Sequence, residues 1–181
     1  LCKNHDFIYV YNGAYWNQVE KERLQKFLGD AANKMGVDKF SSEYYQFKEH
    51  LFKQFMSMAY LPTPKIDSET VLVNLKNGTF EINQKGEVLR DFNHSDFLTY
   101  QLPFDYDPNA QAPIFDKYLN RVLPDENCQK VLAEYLGFVF IRHESKRLKL
   151  EKALILNGSG ANGKSVFYEI VKALIGKENI S

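Results

Sequence analysis

Cysteine is scarce in this sequence. Cys2 and Cys128 are the only two among 181 residues. They stand far apart, outside any Cys-x-x-Cys or Cys/His spacing, which excludes a disulfide framework and a zinc site built on them. His5, His50, His94 and His143 likewise lack partners at ligand spacing. Long apolar runs are missing as well: the longest spans 135–141, far short of the roughly 20 residues a helix needs to cross a bilayer. Residues 1–6 have none of the features of a secretory signal. Net charge is absent too, with 23 Lys and Arg against 23 Asp and Glu. No whole-chain field therefore draws the protein to nucleic acid, although a locally basic surface stays open. Internal repeats and low-complexity tracts do not occur. These absences describe a soluble, cytoplasmic type of protein with no membrane association.

What is present is an ordinary globular composition, 44% apolar and rich in aromatics with 14 Phe and 11 Tyr, and one glycine-rich stretch. Gly158-Ser159-Gly160-Ala161-Asn162-Gly163-Lys164-Ser165 has the G-x-x-x-x-G-K-[ST] spacing of a phosphate-binding loop. Before it, Ala153-Leu154-Ile155-Leu156 reads as a short buried strand. After it, Val166, Phe167, Ile170, Val171, Leu174 and Ile175 recur at helical spacing up to Gly176, a C-terminal helix stop. In such a loop the glycines allow a sharp turn and close approach to a ligand. Successive N–H groups from Gly160 to Ser165 point inward, aided by the helix dipole. Lys164 reaches the β- and γ-phosphates and the Ser165 hydroxyl coordinates Mg²⁺. A glycine turn that merely joins strand to helix would not account for the Lys-Ser pair. ATP with Mg²⁺ is the expected ligand. Hydrolysis needs more, namely an acidic residue on the metal, a water-orienting group and usually an arginine finger. Residues 166–181 supply no second strand for them, so the chain is expected to be a fragment that binds ATP without hydrolysing it efficiently.

The rest of the chain reads as α+β. Phe7–Tyr11 and 14–19 flank Asn12-Gly13, a dipeptide suited to a two-residue hairpin turn. Leu24, Phe27, Leu28, Ala31, Ala32 and Met35 mark an amphipathic helix ending near Gly36. Ser41-Ser42 is placed to cap a second helix whose face carries Tyr44, Phe47, Leu51, Phe52, Phe55, Met56 and Ala59, ended by Pro62 and Pro64. Val71–Leu75, a turn at Asn77-Gly78, 79–82, a turn at Gly86 and 87–92 form a meander. Residues 98–106 read as an extended piece closed by the Asp105-Tyr106-Asp107-Pro108-Asn109 turn. Pro113 opens a helix burying Ile114, Phe115, Tyr118, Leu119, Val122 and Leu123. Pro124-Asp125 recaps the chain into another helix burying Val131, Leu132, Tyr135, Leu136, Val139 and Phe140. The expected organisation is 1–65 (hairpin and two helices), 66–110 (meander), 111–150 (helical collar) and 151–181 (the first strand, loop and helix of an α/β, AAA+-like motor).

Three further features have both a functional and a structural interpretation. The connector 142–152 carries five Lys or Arg against two Glu, suited to DNA phosphate or a neighbouring subunit but more simply a solvated linker. Tyr9, Tyr11, Tyr15 and Trp16 could stack bases, yet alternating aromatics in a hairpin more often pack a core. Asp105 and Asp107, beside Pro108 and Asn109, read as turn formers rather than a metal pair.

Taken together, the loop resembles the Walker A element of superfamily 3 helicases, above all the phage and plasmid primase–helicases that include the poxvirus enzymes. Val73-Asn74-Leu75-Lys76-Asn77-Gly78-Thr79-Phe80 is similar to the N-x-x-N-G hairpin of the domain preceding the helicase in that family. Tyr100-Gln101-Leu102-Pro103-Phe104-Asp105-Tyr106-Asp107 and Tyr135-Leu136-Gly137-Phe138 resemble two more of its segments. The resemblance implies an ATP-dependent DNA helicase for replication of a mobile element, assembled as a ring, commonly a hexamer, with DNA in its channel. Of the family's site residues, only the Walker A positions Gly158, Gly163, Lys164 and Ser165 carry over. Two rivals differ in class: a P-loop kinase or GTPase with an N-terminal extension, and a non-catalytic DNA-binding or oligomerisation module.

Overall fold

Among the described residues every strand pairs with a sequence neighbour, so the sheets are built from local turns. The computed structural model describes residues 1–5, 7–58, 62, 70–141, 153–160 and 162–180. The first sheet is antiparallel, in the order β1 (Cys2–Asn4), β2 (Phe7–Tyr11) and β3 (Trp16–Val19). β1 was not expected from the sequence; His5 makes its turn at φ 53°, a conformation uncommon outside glycine. The β2–β3 connection also differs from expectation. Tyr11 pairs with Trp16, so the loop has four residues rather than two. Asn12 remains at negative φ and Gly13 alone turns over, at φ 104°. The Asn12 side chain instead accepts from the N–H groups of Ala14 and Tyr15, both at 2.9 Å, an Asx-type closure.

Helix α1 (Lys21–Lys34) ends as expected at Gly36. Val37 N–H bonds Ala32 O and Gly36 N–H bonds Asn33 O, each at 3.0 Å, the paired bonds of a Schellman stop. The expected second helix is two. Asp38, rather than Ser41 or Ser42, caps α2 (Lys39–Glu43), its carboxylate accepting from Phe40 and Ser41 N–H at 2.9 and 3.2 Å. Tyr44 then turns extended, at ψ 131°, before α3 (Tyr45–Met58). Phe47, Leu51, Phe52, Phe55 and Met56 are half-buried on α3, while Tyr44 is exposed. Ala59 and Pro64 lie outside the described residues. α1 and α2 approach closely at Gly29, where an added Cβ would stand 2.8 Å from the Ser42 carbonyl oxygen.

Hydrogen bonds from Ser41 and Phe40 hold the Asp38 carboxyl below the usual carboxylate range. Such a group stabilises above its unfolded pKa near 4, and the contribution is lost as pH falls through the folded value. Amide exchange in Lys39–Glu43, corrected for intrinsic rates, is expected to accelerate relative to α1 between about pH 5 and pH 2. A constant ratio over that range would show that Asp38 does not anchor α2.

The second sheet is the expected meander: β4 (Val71–Leu75), β5 (Gly78–Asn83) and β6 (Gly86–Arg90). Its first turn sits one residue earlier than the Asn-Gly signal implied. Leu75 pairs with Gly78, which makes Lys76-Asn77 the loop and Gly78 the first residue of β5. Gly78 is needed there, at φ 149° and with a Cβ position 2.6 Å from the Arg90 carbonyl oxygen. At that same end of the sheet, where it pairs with Thr79, Arg90 bonds Glu81 at 2.6 Å and both oxygens of Asp96 at 2.9 Å.

Residues 97–106 form a strap that unites the two sheets. Trp16 N–H bonds Leu98 O at 2.8 Å on the first sheet. On the second, Leu102 N–H bonds Asn74 O at 2.8 Å and Lys76 N–H bonds Phe104 O at 3.0 Å, so the strap runs along β4 in the same direction. Phe97, Leu98 and Leu102 are all buried. Cys2, Trp16 and Phe97 make the core of the first sheet, with Tyr9 and Tyr11 packed against them. Tyr9 meets Phe97 edge-on at 5.1 Å. The structural interpretation of these aromatics is the one observed.

The C-terminal helices are α4 (Pro113–Val122), α5 (Glu126–Phe138) and α6 (Lys164–Ile175). Asp125 caps α5 as expected, accepting from Asn127 N–H at 2.8 Å. Their apolar faces are narrower than periodicity suggested: Ile114 is 86% exposed, and Val131, Val139, Val166 and Leu174 also face outward. Leu132 and Phe167 are the buried residues on α5 and α6. The expected strand at 153–156 is not one. It pairs with no strand among the described residues, and Ile155 is 83% exposed. An apolar run becomes a strand only where a neighbour completes its ladder.

Candidate functional site

The glycine-rich loop 158–165 joins residues 153–157, which form no regular element, to α6. Gly163 is the N-cap of α6 at φ 84°, and Gly160 stands at φ 105°; side chains at either would be strained. At Gly158 an added Cβ would run into the Asn162 side chain. As Gly163 offers no side chain, no cap bonds the first-turn N–H groups of α6, leaving uncapped donors at the positive end of the helix. Lys164 folds back over the loop, its Nζ donating to Gly158 O at 3.1 Å and to Asn162 Oδ1 at 2.7 Å. An ammonium has three N–H donors, so one stays available. Ser165 is exposed on the same first turn. The structure thus gathers Gly160, Asn162, Gly163, Lys164 and Ser165 around one concavity, while Gly158 joins it only through its carbonyl bond to Lys164 and Ser159 is exposed. Ala161 lies outside the described residues.

Sequence reasoning did not foresee the second wall of that concavity. Tyr118 of α4 donates its hydroxyl to Gly163 O at 2.7 Å, and the same carbonyl accepts from Phe167 N–H at 3.0 Å. A Cβ on Gly163 would stand 2.8 Å from Val122 Cγ1 and 3.1 Å from the Tyr118 hydroxyl. The cavity between helix and loop, about 680 Å³, is lined by Tyr118, Arg121 and Val122 on one side and by 162–166 on the other. Among the described residues its lining includes Arg121 and Lys164 and no carboxylate. Behind it, a cavity of about 390 Å³ is lined by Leu119, Leu132, Leu154 and Phe167 among others. In the sequence Tyr118 and Val122 had only the look of core positions, and nothing singled out Arg121.

The remaining candidates resolve simply. Asp107 is a turn former, its carboxylate accepting from Asn109 N–H at 2.8 Å. Among the described residues no group of three His, Cys, Asp or Glu could hold a metal ion, and no helix is long and apolar enough to cross a membrane. The connector 142–152, with His143, lies outside the described residues.

The N-x-x-N-G hairpin is a device for holding the strap. Asn74, fully buried, donates from Nδ2 to Tyr100 O at 2.7 Å and to Ala14 O at 3.1 Å. Asn77 exchanges two bonds with Tyr106, donating to its carbonyl and accepting from its N–H, both at 2.9 Å. The Tyr106 ring stacks on Phe80, with centroids 4.6 Å apart. Tyr100 in turn donates its hydroxyl to Leu72 O at 3.0 Å.

Over 170 residues, 91% of its length, the chain is 25% identical to a protein of Acanthamoeba polyphaga mimivirus described as a putative helicase. The chain spans 17% of that protein's length. The family described as D5 N terminal like matches residues 2–124, which takes in both sheets, the strap, the paired asparagines and α4. With this stretch covering most of its length, the chain belongs to the D5 N terminal like family.

Proposed function

We propose that the chain is part of a longer ATP-dependent DNA helicase of the primase–helicase type, serving replication of a phage, plasmid or other mobile element. Loop 158–165 holds the nucleotide. The observation that carries this reading is the uncapped first turn of α6 behind Gly163, with the Lys164 ammonium lying over the loop. The donor set suits a polyphosphate: backbone N–H groups from Gly160 to Ser165, the spare Lys164 donor, and a space of about 680 Å³ beside them. Gly158, Ser159 and Asn162 shape the loop, and the Ser165 hydroxyl would be the protein's ligand to Mg²⁺. When bound with ATP, Mg²⁺ held by Ser165 would supply neutralisation of the phosphate charge. Family membership and the named viral relative support the helicase assignment. Hydrolysis, ring assembly, commonly as a hexamer, and contact with single-stranded or forked DNA belong in this proposal to the longer protein.

The test is ATP hydrolysis by the full-length protein, with and without single-stranded DNA, beside its Lys164→Ala variant. Stimulation by DNA that disappears in the variant is the expected result. Hydrolysis indifferent to DNA would point instead to a kinase or GTPase, and DNA binding without any nucleotide dependence to a non-catalytic module.

A further inference from the structure

We propose that helix α4 supplies a second cation to the polyphosphate, Arg121, and that Tyr118 fixes its position. The inference rests on the nucleotide reading of loop 158–165. It starts from helix geometry: residues 118, 121 and 122 are spaced i, i+3 and i+4, and so share one face of α4. Two of the three are already docked on the loop. The Tyr118 hydroxyl bonds Gly163 O at 2.7 Å, and Val122 stands where Gly163 has no side chain. With that face anchored, the third member is carried to the same cavity, whose lining includes Arg121 and Lys164.

Arg121 has none of the occupations that usually explain a surface arginine. Among the described residues it forms no ion pair or hydrogen bond, and none of those lining the cavity is a carboxylate. A different arginine of this protein shows the contrast: Arg90 is fully engaged by Glu81 and Asp96. The triphosphate of ATP carries several negative charges, and Lys164 meets them as one point charge that already spends two donors inside the loop. A guanidinium adds a planar fork that grips two phosphate oxygens at once. It would enter from the wall opposite the loop, so the phosphate chain would be held between the family domain and α6. Nucleotide binding would then lock α4 to the loop.

The experiment is equilibrium binding of ATP with Mg²⁺, and separately of adenosine, to the full chain by calorimetry. Wild type is compared with Arg121→Ala, Arg121→Lys and Lys164→Ala, after circular dichroism has confirmed that each is folded. Arg121→Ala is expected to raise the Kd for ATP about tenfold and to leave that for adenosine unchanged, with partial recovery in Arg121→Lys. Equal ATP affinity in wild type and Arg121→Ala, with a large loss in Lys164→Ala, would overturn the role of Arg121 and leave the loop's role standing. Failure of the wild type to bind ATP would overturn the nucleotide reading, and this inference with it.

Discussion

Replacing Trp16 by alanine is expected to destabilise the protein by about 4 kcal/mol, the usual scale for deleting a buried indole. Trp16 is 7% exposed and lies between Tyr11 and Phe97, at ring distances of 5.4 and 5.9 Å. Its Nε1–H donates to the His94 carbonyl at 2.8 Å, and its backbone N–H to Leu98 O. One residue thus links the first sheet to both ends of the turn that leads into the strap. Trp16→Phe separates the two contributions. It keeps most of the apolar contact and leaves the His94 carbonyl without its donor, for a loss of about 1–2 kcal/mol. Urea unfolding followed by circular dichroism measures both. An alanine variant within about 1 kcal/mol of wild type would mean that the Cys2–Trp16–Phe97 cluster is not the core of this sheet.

The second large effect is expected at Asn74. Asn74→Leu preserves volume and removes both amide donors, stranding the Ala14 and Tyr100 carbonyls. The expected loss is about 3 kcal/mol, two bonds' worth in a fully buried setting. Asn74→Asp should be worse, because it aims a carboxylate at two carbonyl oxygens where no water reaches. Since Trp16 is the chain's single tryptophan, its fluorescence reports unfolding of both variants. If Asn74→Leu unfolds at the wild-type urea concentration, the strap is held by its backbone bonds and buried leucines alone. Asn77 is exposed, so its exchange with Tyr106 weighs less.

The same asparagines show where sequence reasoning succeeds and where it stops. The N-x-x-N-G pattern was legible as a family resemblance, and the Asn77-Gly78 pair as a turn. Neither disclosed that the amides reach 26 and 29 positions along the chain to hold Tyr100 and Tyr106, because a side chain's distant partner leaves no local trace. The one-residue shift at that turn has a similar origin. Gly78 is required by the approach of Arg90 across the sheet, which the Asn-Gly signal cannot convey. Helix stops were read correctly at Gly36 and Gly176, where the signal is a single backbone conformation. Periodicity overestimated burial on α4 to α6, since it marks a side as apolar without saying whether anything covers it. The candidate loop was visible as a motif, whereas Tyr118 and Arg121 join it only because α4 docks there.

The strap also protects the protein from its own sheet. β4 has β5 on one side, and its other side would present the Leu72 and Asn74 carbonyls and the Lys76 N–H to any extended chain that drew near. All three are engaged by residues 100, 102 and 104. An edge filled in this way cannot recruit a second copy into a continuous ladder, the usual first step of strand-mediated aggregation. Along β4 the strap takes the place that a strand of another molecule would occupy.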